Sequence, residues 1–268
     1  MEDTIIEEYF QSSCSNFERK KKQVPLNIAK LAKDISAVEK EYQEALESGN
    51  KFIIKEYEKI LYEDKYRLKN YKEESLLLRA PSKEDIAYRT RQLEEFPNKI
   101  ADSIPEEKKL CFHGTSIMGA KNIILTGGIS SGADRFGHST SYDPPGKISV
   151  TNKDTIHTSV KDYMHLVDDF CYPAGCIFVV TAKDQEEYKN LPSGWMICNV
   201  DFRKNPERLV AIISTPENME RLTQWANEGE IDSSKVMDFD KFIRIQNNEK
   251  INTQTNIFNM MKTKEITK

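Results

Sequence analysis

Two amphipathic stripes separated by a turn signal dominate the first third of the chain. From Ile28 onward, apolar positions recur every three or four residues, which is the period of one face of an α-helix. The motif Ser48-Gly49-Asn50 interrupts this pattern, and a second stripe of the same period follows it. The first stripe comprises Leu31, Ile35, Val38, Tyr42 and Ala45, and the second comprises Ile53, Tyr57, Leu61, Leu68 and Tyr71. The pattern therefore predicts a helical hairpin, with Pro25 near the start of its first helix.

A third helix is expected before the chain changes character near residue 105. Ser82 has the side chain of an N-cap, and Glu84 and Asp85 follow it in the first turn, where carboxylates favour the positive end of a helix. Pro97 and Pro105 then mark the passage into the core. We interpret residues 1–104 as a helical module that either docks a partner or substrate, or serves as a scaffold for the remainder.

The stretch 110–163 concentrates the residues that carry chemistry. It holds seven of the eleven glycines, and all four histidines lie within it or just after it. An apolar run ending at Phe112 predicts a strand, and the helical period after it predicts a short helix that stops at Gly127. The run 146–151 predicts a second strand, and a second helix reaches Tyr163 and beyond. The expected unit is strand, helix, loop, strand, helix.

Strand patterns prevail in the remainder of the chain, which leads to an α+β fold class. Pro216 opens a helix, because proline suits the first helical position. The predicted strands cover 176–181, 195–202 and 208–214, with an edge strand at 241–245. Residues 246–268 are polar and predict a tail that frays. We therefore expect a β core over 105–245.

Composition restricts the classes of partner and compartment. The formal net charge is -4 and 31% of the residues are charged, so bulk binding of nucleic acid is not expected. Mean hydropathy is -0.64, and no apolar stretch approaches the roughly 20 residues that span a bilayer. The acidic start lacks the pattern of a Sec signal peptide. We expect a cytoplasmic protein, or one secreted into a host cytosol by a route without such a signal.

The order of motifs resembles a known family. Phe112-His113-Gly114-Thr115, a helix ending in Thr-Gly-Gly-Ile, then Gly-Lys-Ile-Ser-Val-Thr and a helical Tyr are similar to the NAD-binding core of ADP-ribosyltransferases of the diphtheria-toxin and poly(ADP-ribose) polymerase branch. The resemblance covers roughly residues 110–215. It implies a split, mixed to antiparallel β core that uses NAD as a substrate.

The resemblance assigns NAD-binding roles to the first motifs. His113 would bond a ribose hydroxyl, Gly114 would grip the carboxamide through its backbone, and Thr115 would support that strand end. Tyr163 would stack on the nicotinamide ring. Ser149 stands where the family has a tyrosine, and it would line the other side of the ring.

The remaining assignments concern another strand residue, a contact to a phosphate of NAD and the acidic residue of the site. Thr151 lies on the same strand face as Ser149, because side chains of a strand alternate with a period of two. Arg135 would contact a phosphate of NAD. An acidic residue must stabilise the sugar cation that forms when nicotinamide leaves. Asp201, two residues after Asn199, is the first candidate for this acid, and Glu207 is the second.

The function implied is that of an NAD-dependent mono-ADP-ribosyltransferase with a protein acceptor, of the kind found among bacterial effectors and toxins. The N-terminal helices would then bind the target or a co-factor protein. Two alternatives remain. One is a catalytically degenerate protein that binds NAD or engages partners through its helices. The other is a relative of the RNA 2'-phosphotransferases, for which the core offers only Arg135, Arg203 and Arg208 before its final helix.

Overall fold

The chain combines helices with antiparallel strands, so the predicted α+β class is confirmed. The structure is a computed structural model that describes residues 2–105, 108–131, 145–164, 170–182, 188–191 and 194–266. Cα positions divide the chain into two compact units, Met1–Ile86 with Phe170–Tyr172, and Ala87–Asp169 with Pro173–Lys268. No helix in the described ranges is long and apolar enough to cross a membrane.

The first unit contains the predicted helical hairpin. Its helices are α1 (Glu2–Ser48) and α2 (Lys51–Ser75), and the side chain of Asn50 caps α2. The hairpin is held by hydrogen bonds from the Tyr42 hydroxyl to Glu58 and from the Tyr57 hydroxyl to Glu41, at 3.1 and 2.9 Å. Few side chains of the hairpin are fully buried, because two helices share only one interface. The buried apolar residues of α1 and α2 are Ile35, Ala45 and Leu61.

The position of Pro25 differs from the prediction. The expectation that Pro25 lies near the start of the first helix is wrong, because α1 begins at Glu2 and continues through this proline. Ile6, Phe10 and Phe17 recur at helical spacing and are half-buried, so an amphipathic face already precedes Pro25.

Helix α3 (Lys83–Ser103) begins as its sequence predicts. The Ser82 hydroxyl accepts a hydrogen bond from the Asp85 backbone N–H at 3.1 Å, which is the geometry of a cap. Farther along α3, Phe96 and Ile100 are fully buried in the core of the second unit. The sequence analysis assigned α3 to the helical module of residues 1–104. The boundary between the two compact units lies within the first turn of α3, after Ile86.

Within its described ranges, the second unit has three small sheets. Strand orders are β1-β4-β8-β9, β3-β6-β5 and β2-β7, and every pairing is antiparallel except that of β8 with β9. The strands are β1 (Leu110–Thr115), β2 (Gly128–Ile129), β3 (Lys147–Val150), β4 (Cys176–Thr181), β5 (Tyr188–Leu191), β6 (Gly194–Cys198), β7 (Val200–Asp201), β8 (Leu209–Ser214) and β9 (Val236–Asp238). β4 lies between β1 and β8, and its first five residues are fully buried, as its continuous apolar run predicts.

Helices connect and cover these strands. They are α4 (Ile117–Thr126), α5 (Ile156–Thr158) with the π-helical turn Ser159–Tyr163, α6 (Met219–Glu228) and α7 (Phe239–Ile266). The predicted stop of α4 is confirmed, because Gly127 is its C-cap with a φ of 78°, a conformation that favours glycine. Short 3-10 turns lie at Pro206–Arg208, Pro216–Asn218 and Ser233–Lys235.

Two predictions near the C-terminal end are wrong. Residues 241–245 form part of α7 and not an edge strand, because Phe239, Phe242, Ile243 and Gln246 are buried at helical spacing. β9 is the strand that pairs at this edge. Residues 246–266 continue the same helix, so the tail predicted to fray is helical up to Ile266.

Candidate functional site

β1 and β3 belong to different sheets that meet at one backbone bridge. Phe112 and Thr151 exchange backbone hydrogen bonds of 2.8 and 2.9 Å at this point. The Phe112 carbonyl also accepts hydrogen bonds from the hydroxyls of Thr151 and Ser159, at 3.2 and 3.1 Å. These two hydroxyls lie 2.7 Å apart and both side chains are buried. The bridge therefore fixes the π-helical turn against the junction of the two sheets.

His113 lies next to this junction on β1. Its Nδ1 atom is 3.0 Å from the backbone carbonyl oxygen of Ser149 on β3, and both side chains are partly exposed. Because a carbonyl oxygen can only accept, Nδ1 is the protonated nitrogen of this pair. When the ring is neutral, Nε2 is then its acceptor nitrogen. The contact fixes both the tautomer and the orientation of the imidazole.

Other backbone and side-chain atoms pack closely against Gly114 and Thr115. A Cβ atom at Gly114 would lie 2.2 Å from the backbone carbonyl oxygen of Ser159, so no side chain fits on that side. A Cβ atom at Gly119 would likewise lie 2.0 Å from the Thr115 hydroxyl, which packs against the first turn of α4. The absence of a side chain at Gly114 thus lets the π-helical turn approach β1 closely.

Tyr163 and Arg135 are the assigned residues whose side chains the structure does not describe. The backbone of Tyr163 ends the π-helical turn that begins at Ser159, and its side chain lies outside the described part. Arg135 lies wholly outside the described residues. The proposed stacking and phosphate contacts stay predictions.

Asp201, the first candidate acid, caps a turn. Its Oδ1 atom accepts hydrogen bonds from the backbone N–H groups of Arg203 and Lys204, both at 3.0 Å, and Lys204 Nζ lies 3.2 Å from Oδ2. The backbone N–H of Lys204, followed by its side chain, holds the pKa of Asp201 below its ordinary value. Asp201 pairs with Gly128 in the β2-β7 ladder, and not with the strands that carry His113 or Ser149.

Glu207, the second candidate acid, lies toward the other end of β1. It is exposed in the 3-10 turn before β8, and Leu209 pairs with Val180, which in turn pairs with Cys111. His113 is two residues further along β1. From strand spacing and rise, Leu209 and His113 are about 12 Å apart at Cα, and Glu207 is farther still.

The structure thus brings together only part of the predicted set. His113 contacts Ser149, while Gly114 and Thr151 both contact Ser159, and neither candidate acid pairs with these strands. Ser159 was not predicted. Ile156, Val160 and Met164 are fully buried and recur every four residues, and Ser159 is adjacent to this stripe. A polar residue next to a buried stripe needs hydrogen-bonding partners, which is the signal that could have identified it.

A cavity of about 250 Å³ lies at the opposite end of β1 from His113. It is lined by Ile104, Lys108, Lys109, Leu110, Cys111, Asn152, Lys153, Asp154 and Ala182. Of the predicted site residues whose side chains the structure describes, none lines this cavity. No group of three or more His, Cys, Asp or Glu side chains in the described ranges is arranged to hold a metal ion.

Comparisons with known proteins add no family assignment. No protein-family model, no curated protein and no solved structure matches the chain. The resemblance to ADP-ribosyltransferases therefore rests on the order and identity of the motifs in the chain itself.

Proposed function

We propose that the chain is an NAD-dependent mono-ADP-ribosyltransferase that acts on a macromolecular acceptor. The observation that carries this proposal is the fixed imidazole of His113, held through Nδ1 by the Ser149 carbonyl where two sheets meet. Its Nε2 atom can accept a hydrogen bond from a ribose hydroxyl, as the resemblance requires. The order of motifs and the antiparallel pairings of β1-β4-β8 and β3-β6-β5 further support an ADP-ribosyltransferase-like core.

The proposed reaction breaks the bond between nicotinamide and C1' of the ribose. Nicotinamide leaves with the bonding electron pair, and a nucleophile of the acceptor then bonds to C1'. The sugar passes through a cation-like state, so groups that orient the ribose and a carboxylate that stabilises positive charge lower the barrier. We assign the orienting role to His113 and one wall of the site to Ser149. The side chain of Thr151 is buried at the junction, and the Ser159 carbonyl covers Gly114 on its Cβ side.

A second candidate function is favoured by Asp201. Its carboxylate already accepts two backbone hydrogen bonds and contacts Lys204, so it is committed to the turn that follows β7. A chain that lacks a carboxylate at the ribose would bind NAD but turn it over poorly, because removing one such electrostatic group costs about 10²- to 10³-fold in rate. The alternative is thus an NAD-binding protein without transferase activity.

The RNA 2'-phosphotransferase reading receives less support. The guanidinium of Arg203 donates hydrogen bonds to the carbonyls of Leu125 and Gly229, both at 3.0 Å. Arg208 is buried and donates to the Thr181 carbonyl at 3.2 Å through Nε and Nη2. Two of the three core arginines therefore hold backbone carbonyls rather than facing a phosphate ligand.

One assay with two readouts separates the candidates. Purified chain is incubated with NAD labelled in the nicotinamide ring, and both binding and released nicotinamide are measured, with cell lysate as a source of acceptor. The transferase reading expects release that falls at least about 10²-fold in His113→Ala. Binding without release favours the NAD-binding alternative, and absence of binding contradicts both. His157→Ala, an exposed histidine outside the set, is the matched control.

A further inference from the structure

The cavity of about 250 Å³ at the start of β1 lies where two paired segments separate. Phe112 and Thr151 form an isolated antiparallel bridge. A continued ladder would next pair Leu110 with Lys153, two residues further along each segment. The described residues show no such pair, because the chain turns away after Thr151. Leu110 and Lys153 both line the gap that results.

The side chain of Asn152 holds this turn. Its Oδ1 atom accepts hydrogen bonds from the backbone N–H groups of Asp154 and Thr155, at 3.0 and 3.1 Å, and from the Thr155 hydroxyl at 3.0 Å. Bonds of this kind replace those of a strand. The amide oxygen of Asn152 is therefore committed to the turn, and its Nδ2 atom is the remaining donor of a residue that lines the cavity.

The backbone N–H and C=O groups of Leu110 point away from β4. The backbone N–H of Ala182 donates to the Lys109 carbonyl at 3.1 Å, and hydrogen-bonded pairs alternate along an antiparallel ladder. The pair of Leu110 with Thr181 is therefore not hydrogen-bonded, and the Thr181 carbonyl accepts from Arg208 instead, at 3.2 Å. Both polar groups of Leu110 thus lie on the edge of β1 that borders the cavity.

These polar groups lack partners within the described part of the chain. Neither the two backbone groups of Leu110 nor the Nδ2 atom of Asn152 has a hydrogen-bonding partner among the described residues. Leu110 is only 8% exposed. Because backbone N–H and C=O groups at buried positions are almost always paired, the partner of this pair must enter the cavity.

The three groups follow one another in a defined order. The segment after Thr151 runs antiparallel to β1, so Asn152 lies on the carbonyl side of Leu110. The order along the edge is therefore a donor from Asn152, the acceptor C=O of Leu110 and the donor N–H of Leu110. A molecule that presents acceptor, donor and acceptor on one flat edge is complementary to this order. A cyclic imide, in which an N–H lies between two carbonyl groups, has this edge.

We propose that the cavity binds a neutral cyclic imide of the uracil type, with a size up to that of one nucleoside. The imide N–H donates to the Leu110 carbonyl, and its two carbonyls accept from the Leu110 N–H and from Asn152. Side chains of Ile104, Cys111 and Ala182 supply apolar contacts for the ring. An apolar lining with a few placed polar groups is the usual composition of a small-molecule site. The proposal is independent of the proposed transferase function.

Two other kinds of ligand fit this cavity less well. An added peptide strand needs several successive backbone pairs, but the N–H of Lys108 already donates to the Pro105 carbonyl at 3.1 Å. A strongly charged ligand finds side chains of both signs, because Asp154 lies among the lysines of the lining and Lys108 is paired with Glu249. The edge at Leu110 therefore offers one site for a flat, uncharged amide.

The first test compares three nucleosides by isothermal titration calorimetry with the full chain. Uridine presents the complete imide edge and is expected to bind. In 3-methyluridine a methyl group replaces the imide hydrogen, and in cytidine the ring nitrogen at this position is an acceptor that faces the Leu110 carbonyl. Both should bind at least about tenfold more weakly than uridine, because a buried polar group is left without its partner.

The second test changes the cavity. Asn152→Asp keeps the oxygen that holds the turn and replaces the Nδ2 donor by an acceptor, so uridine should bind about tenfold more weakly. The matched control is Asn27→Asp, at an exposed position of α1, which should bind uridine as wild type does. Ala182→Leu reduces the volume of the cavity and should also weaken binding. Circular dichroism checks that each variant is folded.

The outcomes separate this site from the proposed NAD site. His113→Ala should bind uridine with unchanged affinity, because His113 lies at the opposite end of β1. The proposal is overturned if uridine does not bind, if 3-methyluridine binds equally well, or if folded Asn152→Asp keeps the wild-type affinity. A uridylate decamer that binds at least about a hundredfold more tightly than uridine would assign the cavity to RNA, and would likewise overturn a small-molecule ligand.

Discussion

Gly114→Ala tests the close packing on which the candidate site depends. The new Cβ atom would lie 2.2 Å from the Ser159 carbonyl oxygen, whereas ordinary contacts begin near 3.4 Å. The π-helical turn and β1 must therefore move apart by about 1.2 Å. Because the clashing atom belongs to the backbone, no side-chain rotation can relieve the contact, and we expect a cost of about 3 kcal/mol, at the upper end of typical overpacking.

The assay for this variant is thermal denaturation followed by circular dichroism. A cost of about 3 kcal/mol corresponds to a lower apparent Tm by roughly 6 to 12 °C for a folding unit of this size. The control is Gly119→Ala, whose Cβ would meet the Thr115 hydroxyl at 2.0 Å and can be accommodated when Thr115→Ala is added. By contrast, adding Ser159→Ala should not rescue Gly114→Ala. An apparent Tm of Gly114→Ala within about 2 °C of wild type, or its rescue by Ser159→Ala, would contradict the close backbone packing at Gly114.

Three further predictions concern groups with defined partners. Arg203→Ala removes the hydrogen bonds to the C-terminal ends of α4 and α6. We expect a loss of about 1–2 kcal/mol, which lowers the apparent Tm by roughly 2 to 8 °C. An unchanged Tm would show that these bonds are dispensable. Since the pKa of Asp201 is lowered, mainly by Lys204, its carboxylate stabilises the fold above its ordinary value of 3.8 and loses this effect as pH falls through the folded-state pKa. The Tm difference between wild type and Asp201→Asn should therefore vanish in this acidic range, and a difference that persists there would contradict the assignment. Burial raises the pKa of Cys176 to about 12, so iodoacetamide at neutral pH should label Cys14 in the folded chain and Cys176 only after unfolding, as read by mass spectrometry.

Local signals predicted the elements that local interactions determine. The hairpin of α1 and α2 was predictable because the two apolar stripes and the turn signal Ser48-Gly49-Asn50 between them lie close together in sequence. Gly127 ended α4 as expected, because its left-handed conformation is a property of one residue. The strands at β4 and β8 followed from continuous apolar runs.

The features that the sequence did not reveal depend on distant partners. The strand predicted over 195–202 breaks at Asn199, whose side chain accepts a hydrogen bond from the backbone N–H of Ser131. Asp201 stands two residues after Asn199, as the resemblance to ADP-ribosyltransferases implies for the acid, but its carboxylate caps the turn to Arg203. Phe239, the first residue of α7, is buried in the core of the second unit. This burial likewise depends on contacts with α3.

The placement of α3 illustrates the same limit of local signals. Its Ser82 cap and acidic first turn predicted a helix but not the surface that the helix covers. Phe96 packs edge-on against Phe239, with ring centroids 4.5 Å apart, so this part of α3 belongs to the core of the second unit. A helical period shows which side of a helix is apolar, and only the tertiary contacts show what lies against it.

The most direct test of the proposed function is the release of nicotinamide from labelled NAD by the full chain, compared with His113→Ala and with the His157→Ala control. We expect wild type and the control to release nicotinamide at the same rate, and His113→Ala to lose at least about 10²-fold while remaining folded by circular dichroism. Release that is unchanged in His113→Ala, or a wild-type chain that does not bind NAD, would contradict the proposed function.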